Sequence, residues 1–219
     1  MKKIIVFGVG EFAEIVHYYF THDTDIGVAS FTVDPSYIDE ESFNGLPVVP
    51  FDEVERRYPP SEYGMFAAIG YRNVNRDRAA KVAAAQAKGY QLASYLSTKA
   101  SVPSGLTYGP NTFVMDHVVI EPYVQIGRDV IIWGSSKIGY RSRIGDHCWI
   151  TCAVLGAAVE LGDHAVIGLD ATVASYVSVG TGTVVGAGAT ILKDTKDFEV
   201  YKARATRPSR VPSTRLRYR

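Results

Sequence analysis

Between Ile120 and Ile191 a branched aliphatic residue returns at almost every sixth position: Ile120, Ile126, Ile132, Ile138, Ile144 and Ile150, then Leu155, Leu161, Ile167, Val173, Val179, Val185 and Ile191. A helix repeats every 3.6 residues and a strand every two, so this period belongs to neither. Glycine follows many of these aliphatics, as at Gly127, Gly139, Gly145, Gly156, Gly168 and Gly186, and small or β-branched residues such as Val130, Ser136, Ser142 and Ala165 stand four places on. Such a hexad reads as a short strand and a tight turn, with the aliphatic inward, glycine where the backbone bends and the small residue filling a corner. Three hexads close one triangular coil. Stacked coils pair equivalent strands about 4.8 Å apart around a buried aliphatic column. The spacing predicts an all-β parallel β-helix over residues 98–200; it does not set the handedness.

Residues 1–97 follow another rule. Lys3 to Phe7 reads as a buried strand, Glu11 to Phe20 as a helix and Val28 to Val33 as a second strand. Phe51 to Arg57 reads as a short helix, Met65 to Ile69 as a strand, Asn75 to Lys88 as a helix stopped by Gly89, and Gln91 to Leu96 as a further strand. This alternation predicts a Rossmann-like α/β unit with a small open parallel sheet. Val102 to Pro110 carries no clean hexad and marks the junction, and the repeat disappears after Asp197. The basic tail, 201–219, contains Lys202, Arg204, Arg207, Arg210, Arg215, Arg217 and Arg219 without an acid.

Charge and cysteine usage exclude some functions. Lysine plus arginine equal aspartate plus glutamate at 23 each, which gives no argument for nucleic acid or membrane as partner. The apolar run at the start is too short for a signal-peptide core, and no stretch is long enough to span a bilayer, so a soluble cytoplasmic protein is expected. Cys148 occupies an inward small position, and packing in a reducing compartment accounts for it and Cys152 better than a disulfide.

Phe7-Gly8-Val9-Gly10-Glu11-Phe12 stands at the first strand-to-helix turn, where glycines allow close approach and a helix start offers free amides to an anion. Asp34 ends the second strand and Gly70 and Arg72 follow the third, which places all of them at the carboxyl edge of the sheet, the usual ligand edge of such folds. Gly8, Gly10, Glu11, Phe12, Asp34, Gly70 and Arg72 are therefore candidate substrate-binding residues; the competing reading is that the glycines serve tight turns and Asp34 caps a loop.

The hexads, the α/β unit before them, the segment Ile138-Gly139-Tyr140-Arg141-Ser142-Arg143-Ile144-Gly145-Asp146-His147-Cys148, and the pieces Gly45 to Pro50 and Ile120 to Gly127 together resemble the sugar O-acyltransferases related to sialic acid O-acetyltransferase and to bacterial amino-sugar N-acetyltransferases. The resemblance implies a left-handed β-helix homotrimer that moves an acetyl or similar acyl group from acyl-CoA to a hydroxyl or amine of a sugar or nucleotide sugar. Active sites would lie between subunits, acetyl-CoA would be the donor and no metal is expected. Gly168, Gly186, Lys193 and Arg204 are then candidate coenzyme contacts, Arg204 belonging to a tail segment, Tyr201 to Pro208, similar to the one with which relatives approach coenzyme A.

At the expected base the pattern departs from the family. Relatives typically read Ile-Gly-His-His-Ser where this chain has Ile138-Gly139-Tyr140-Arg141-Ser142, Lys137 stands for a second histidine, and a third expected histidine falls near Thr151-Cys152-Ala153. The hexad spacing contracts from six to five between Ile150 and Leu155 in the same region. A tyrosine is a poor base at neutral pH unless a cation stabilises its phenolate, for which Arg141 and Lys137 are the candidates. His117, His147 and His164 share one hexad position, and the 17-residue step from His147 to His164 puts those two on equivalent corners of adjacent coils. Tyr140, His147 and Lys137 are the candidate catalytic residues. The alternatives are a binding or structural homologue that has lost transfer activity, two solvated turn histidines in place of a substitute base, and a metal-dependent hydro-lyase of the β-helix carbonic anhydrase kind, for which a close histidine pair is missing.

Overall fold

The computed structural model describes residues 2–215; Arg217 and Arg219 of the basic tail lie outside them. The first layer is a five-stranded sheet of β1 (Lys3–Phe7), β2 (Gly27–Val33), β3 (Ser42–Phe43), β4 (Leu46–Pro50) and β5 (Gly64–Ala67), in the order β3-β4-β2-β1-β5. All its pairings are parallel except β3 with β4. α1 (Glu11–Asp23) follows β1, the single turn α2 (Val54–Arg57) follows β4, and α3 (Arg76–Ala87) follows β5. Parallel pairing demands a crossover between strands, which α1 supplies after β1. The central strands are apolar almost throughout: Ile4, Ile5, Val6, Met65, Phe66 and Ala67 are fully buried.

From Tyr95 onward the chain winds through two-residue strands that stack into three further sheets of five, seven and five strands, each paired in parallel with its equivalent one coil away. Gln125 faces Arg143, which faces Glu160, which faces Ser178. The arrangement fits a left-handed β-helix. The hexad aliphatics form the predicted column, with Ile132, Ile138, Ile150, Leu155 and Ile167 fully buried. Burying each of these side chains contributes roughly 1.5–3 kcal/mol, which is what a fold of two-residue strands needs.

Winding extends past the clean hexads at both ends. Tyr95–Leu96 pairs with Phe113–Val114, Thr107–Tyr108 inside the expected junction pairs with Gln125–Ile126, and Val200–Tyr201, beyond the last hexad, pairs with Val184–Val185. The strand read over 91–96 is split: Leu92 bridges Met65 in the first layer and Tyr95–Leu96 joins the coils.

Glycine itself takes the bend at Gly105, Gly182 and Gly188, but the glycine that follows an aliphatic does not make it. The left-handed backbone conformation falls two places after it, at Asp129 (φ 55°), Arg141 (59°), His147 (61°), Ala158 (53°) and His164 (61°). The glycines serve close approach between coils: a side chain on Gly139 would strike the Gly156 carbonyl and the Ala157 nitrogen. Coils therefore approach their neighbours closely at the position after the inward aliphatic wherever glycine stands there.

The two layers share one core. Phe12, Phe20 and Phe66 of the α/β unit pack with Tyr95, Phe113, Ile131, Trp149 and Val166, which point outward from the seven-stranded face of the prism. Phe12 sits edge-on to Phe113 at 5.7 Å and to Trp149 at 5.1 Å. Offset aromatic contacts of this kind add to simple area burial.

Candidate functional site

The carboxyl edge of the sheet opens into a cleft of about 580 Å³ lined by Val9, Gly10, Asp34, Tyr37, Arg72, Asp77 and Lys81 among others. Gly10, Asp34 and Arg72 thus stand where the sequence placed them. Gly10 is the residue before α1, has ordinary extended geometry (φ −100°), and leaves open space where a Cβ would be. Gly8 is buried at φ 129°, and a side chain there would strike the Ala68 carbonyl, so it serves the packing of β1 on β5. Phe12 points into the shared core and away from the cleft, because its ring is needed between the two layers. Glu11 is exposed and Gly70 half-buried, and neither lines the cleft. Two lining residues that the sequence reading missed are Lys81, whose ammonium lies 2.6 Å from the Asp34 carboxylate, and Asp77. Both come from the first turns of α3.

A second, apolar groove of about 400 Å³ runs along the prism, walled by Tyr71, Trp133, Trp149, Val166, Leu169 and Val184. Gly168 and Gly186 form part of its floor, whereas Lys193 and Arg204 are exposed and do not line it. Tyr71 and Arg72 are consecutive, so one loop separates the groove from the cleft.

The three candidate catalytic residues do not meet within the chain. Tyr140 lies at the corner that carries Tyr123, Arg141 and Tyr176, where its ring is edge-on to Tyr123 at 5.7 Å and under the Arg141 guanidinium at 5.1 Å. The cation lies over the ring, and Lys137 is drawn off to Glu121 at 3.0 Å. Glu121 also accepts the Tyr140 backbone N–H at 2.8 Å, and that bond, followed by Lys137, holds its carboxyl below the ordinary range. Among the described residues no cation is bonded to the Tyr140 hydroxyl. The five-residue contraction falls at Cys152, on the corner that carries His117 and Ser135, one face away from Tyr140.

His147 belongs to the third corner, in the vertical row Asn111, Asp129, His147 and His164. As the 17-residue step required, His147 and His164 stack, with ring centres 4.8 Å apart and planes inclined by 21°. His147 Nδ1 is 2.8 Å from one Asp129 oxygen. The other Asp129 oxygen accepts Arg78 Nε at 2.8 Å and Asn111 Nδ2 at 2.7 Å. Both Arg78 and Asp129 side chains are fully buried. Arg78 further donates to Asn75 Oδ1 and to the carbonyls of Asp129 and His147, at 3.0–3.1 Å. Asn111 in turn accepts the Ala67 N–H from β5. A buried cation and a buried anion, each with its remaining hydrogen-bonding positions filled, is the arrangement in which a desolvated ion pair is tolerated. Burial, then the neighbouring His147, pushes His164 below its ordinary pKa. Cys148, next to this row, is fully buried with its thiol pushed up to about 12 by desolvation, as its inward position implied.

No family model matches the chain. The structure is similar to that of PerB from Caulobacter crescentus, solved with CoA and GDP-perosamine, at a TM-score of 0.80 and 26% identity over 90% of this chain and 92% of that one. It is also similar to the acetyltransferase domain of PglB from Neisseria gonorrhoeae with acetyl coenzyme A, at 0.78 and 23% over 91% and 95%. The chain shares their fold. A curated relative in sequence is the bifunctional protein GlmU of Cellvibrio japonicus, 34% identical over 108 residues, 43% of this chain. The matched stretch is 24% of that relative's length. Among the described residues no helix is long and apolar enough to cross a membrane, and no cluster of three metal-ligating side chains occurs.

Proposed function

We propose that the protein is an acyltransferase that moves an acetyl or similar acyl group from acyl-CoA to a hydroxyl or amine of a sugar, nucleotide-linked in the simplest case. The observation that carries this reading is the pairing of a polar cleft at the α/β sheet edge with an apolar groove along the β-helix, on the two sides of one loop, in a chain that keeps the fold of PerB over nine-tenths of its length. The unit 1–97 is Rossmann-like and takes the sugar; the left-handed β-helix, 98–200, takes the donor; the tail from 201 approaches the coenzyme. In the cleft, Arg72 and the free amides beyond Gly10 suit an anionic group, while Asp34 and Asp77 suit hydroxyls or an amine. Gly168 and Gly186 lie where a pantetheine arm would run, and Lys193 and Arg204 are the cations available to the coenzyme phosphates. The assembly is a homotrimer, which would bring Tyr140 and Lys137 of one subunit toward a neighbour's cleft. Whether the product is an ester or an amide follows from the acceptor.

Thiol release from acetyl-CoA, followed with UDP- and GDP-linked sugars and amino sugars, tests the reading, and sedimentation tests the trimer. A folded trimer that binds CoA but releases no thiol with any acceptor would favour the second reading, a binding homologue. That second reading draws on one observation: Tyr140 stands where the resemblance implies a base, with Lys137 already engaged by Glu121.

A further inference from the structure

Resting on the acyl-transfer reading, we infer that His147 is the general base of the reaction and that Asp129, Arg78 and Asn111 are its positioning residues. The vertical corner row makes the arrangement. Asp129 stands one coil below His147 and presents an oxygen to Nδ1 at 2.8 Å. Its other oxygen is committed to Arg78 Nε and Asn111 Nδ2, so the carboxylate cannot rotate to offer a different atom. A carboxylate fixed at Nδ1 selects the tautomer with its proton there and leaves Nε2 with a free lone pair.

The remaining groups around the ring suit the role. Arg78 and Asp129 cancel one another in full burial, His164 covers one face of the ring, and Arg128 is held by Asp146 at 2.8 Å. Asp163 and Arg76 act on His164 from the next coil and from α3. The His147 side chain is 17% exposed, enough for its edge to reach a substrate atom while the carboxylate stays dry. The first turn of α3 connects the dyad to the cleft: Asn75 and Arg78 face the prism, while Asp77 and Lys81 line the sugar cleft.

In the step this assigns, His147 Nε2 takes a proton from the acceptor hydroxyl or amine as its oxygen or nitrogen bonds to the thioester carbonyl carbon. The tetrahedral species then collapses with loss of the carbon–sulfur bond, and the coenzyme A thiolate takes the proton back from the imidazolium. Atoms and charge balance without a further reagent.

The test combines imidazole nitrogen-15 spectra with kinetics on the full chain, using acetyl-CoA and a panel of UDP- and GDP-linked amino sugars. In the wild type the imidazole tautomer of His147 carries its proton on Nδ1, facing Asp129. Asp129→Asn, which can donate to Nδ1, moves the proton to Nε2, lowers kcat by a factor on the order of 10²–10⁴ and leaves KM for acetyl-CoA unchanged. Should Asp129→Asn fail to fold, His147→Gln, at a side chain 17% exposed, gives the same kcat loss with a native melting curve. A wild-type ring protonated on Nε2, or His147→Gln with kcat within a factor of two of wild type, overturns the assignment. Wild type with the expected tautomer and no thiol release for any acceptor overturns the acyl-transfer reading, and the base assignment falls with it; thiol release with the wrong tautomer overturns the base assignment alone.

Discussion

Replacing Arg78 by methionine is the most incisive perturbation of the fold. The methionine stem occupies much of the arginine's volume, but the substitution removes the donor to Asp129 at 2.8 Å, the bond to Asn75 Oδ1 at 3.0 Å and the bonds to the Asp129 and His147 carbonyls. Asp129 is left with no exposure and only Asn111 and His147 as partners. Breaking a buried pair by deleting one member costs about 3–5 kcal/mol, because the survivor keeps its desolvation penalty. In a chain of this size each kcal/mol moves the melting temperature by about 2–4 °C, so the variant should melt roughly 6–20 °C lower at equal protein concentration. The double variant Arg78→Met/Asp129→Leu, which removes both charges, should recover most of the loss. Calorimetry and denaturant titration of the three proteins measure this. A loss below about 1 kcal/mol for Arg78→Met, or a double variant no better than the single, would show that the pair is not desolvated and refute the argument.

Other outcomes follow from the same geometry. His164 is held below its ordinary pKa by burial and by His147, so the unfolded chain binds this proton more tightly; the associated stability is complete above about pH 6.5 and is lost as pH falls below it. Denaturation midpoints at pH 8 and 5.5 should differ by less in His164→Asn than in wild type, and equal differences would contradict the assignment. Gly10→Ala meets no neighbour and should leave the melting temperature within about 2 °C, as expected for an exposed position with no special backbone geometry, while raising the acceptor KM if backbone approach at the cleft matters; an unchanged KM would remove Gly10 from the site. Gly139→Ala drives a methyl into the Gly156 and Ala157 backbone and should cost at least about 1–3 kcal/mol in urea titrations.

The β-helix was legible because its signal repeats: thirteen aliphatics from Ile120 to Ile191 impose the coil pitch, and a single contraction at Cys152 could be located by counting. Its ends were not, because Tyr95–Leu96 and Val200–Tyr201 pair with neighbouring coils through backbone groups that need no hexad. The stacking of His147 on His164 followed from the 17-residue step, whereas Asp129 and Arg78 escaped notice. Asp129 looked like an ordinary turn residue, and its burial comes from α3, which nothing local announces. Arg78 did carry a signal: it shares the buried face of α3 with Val82 and Ala85, at steps of four and three, and a cation in line with apolar residues requires an anion on the other side. Phe12 was misplaced for the converse reason, since a glycine-rich turn suggests a ligand edge and gives no hint that the next ring is the wedge between two layers.

The aromatic wall that Phe12, Phe66, Phe113 and Trp149 build between sheet and coils governs what can be recombined in this protein. An α/β unit borrowed from another protein of this fold could not be grafted onto these coils by matching chain ends alone; it would have to bring rings that interlock with Phe113, Ile131 and Trp149. Reshaping the cleft therefore has its freest ground in the loops around Tyr37 and Arg72, which face solvent and leave that seam untouched.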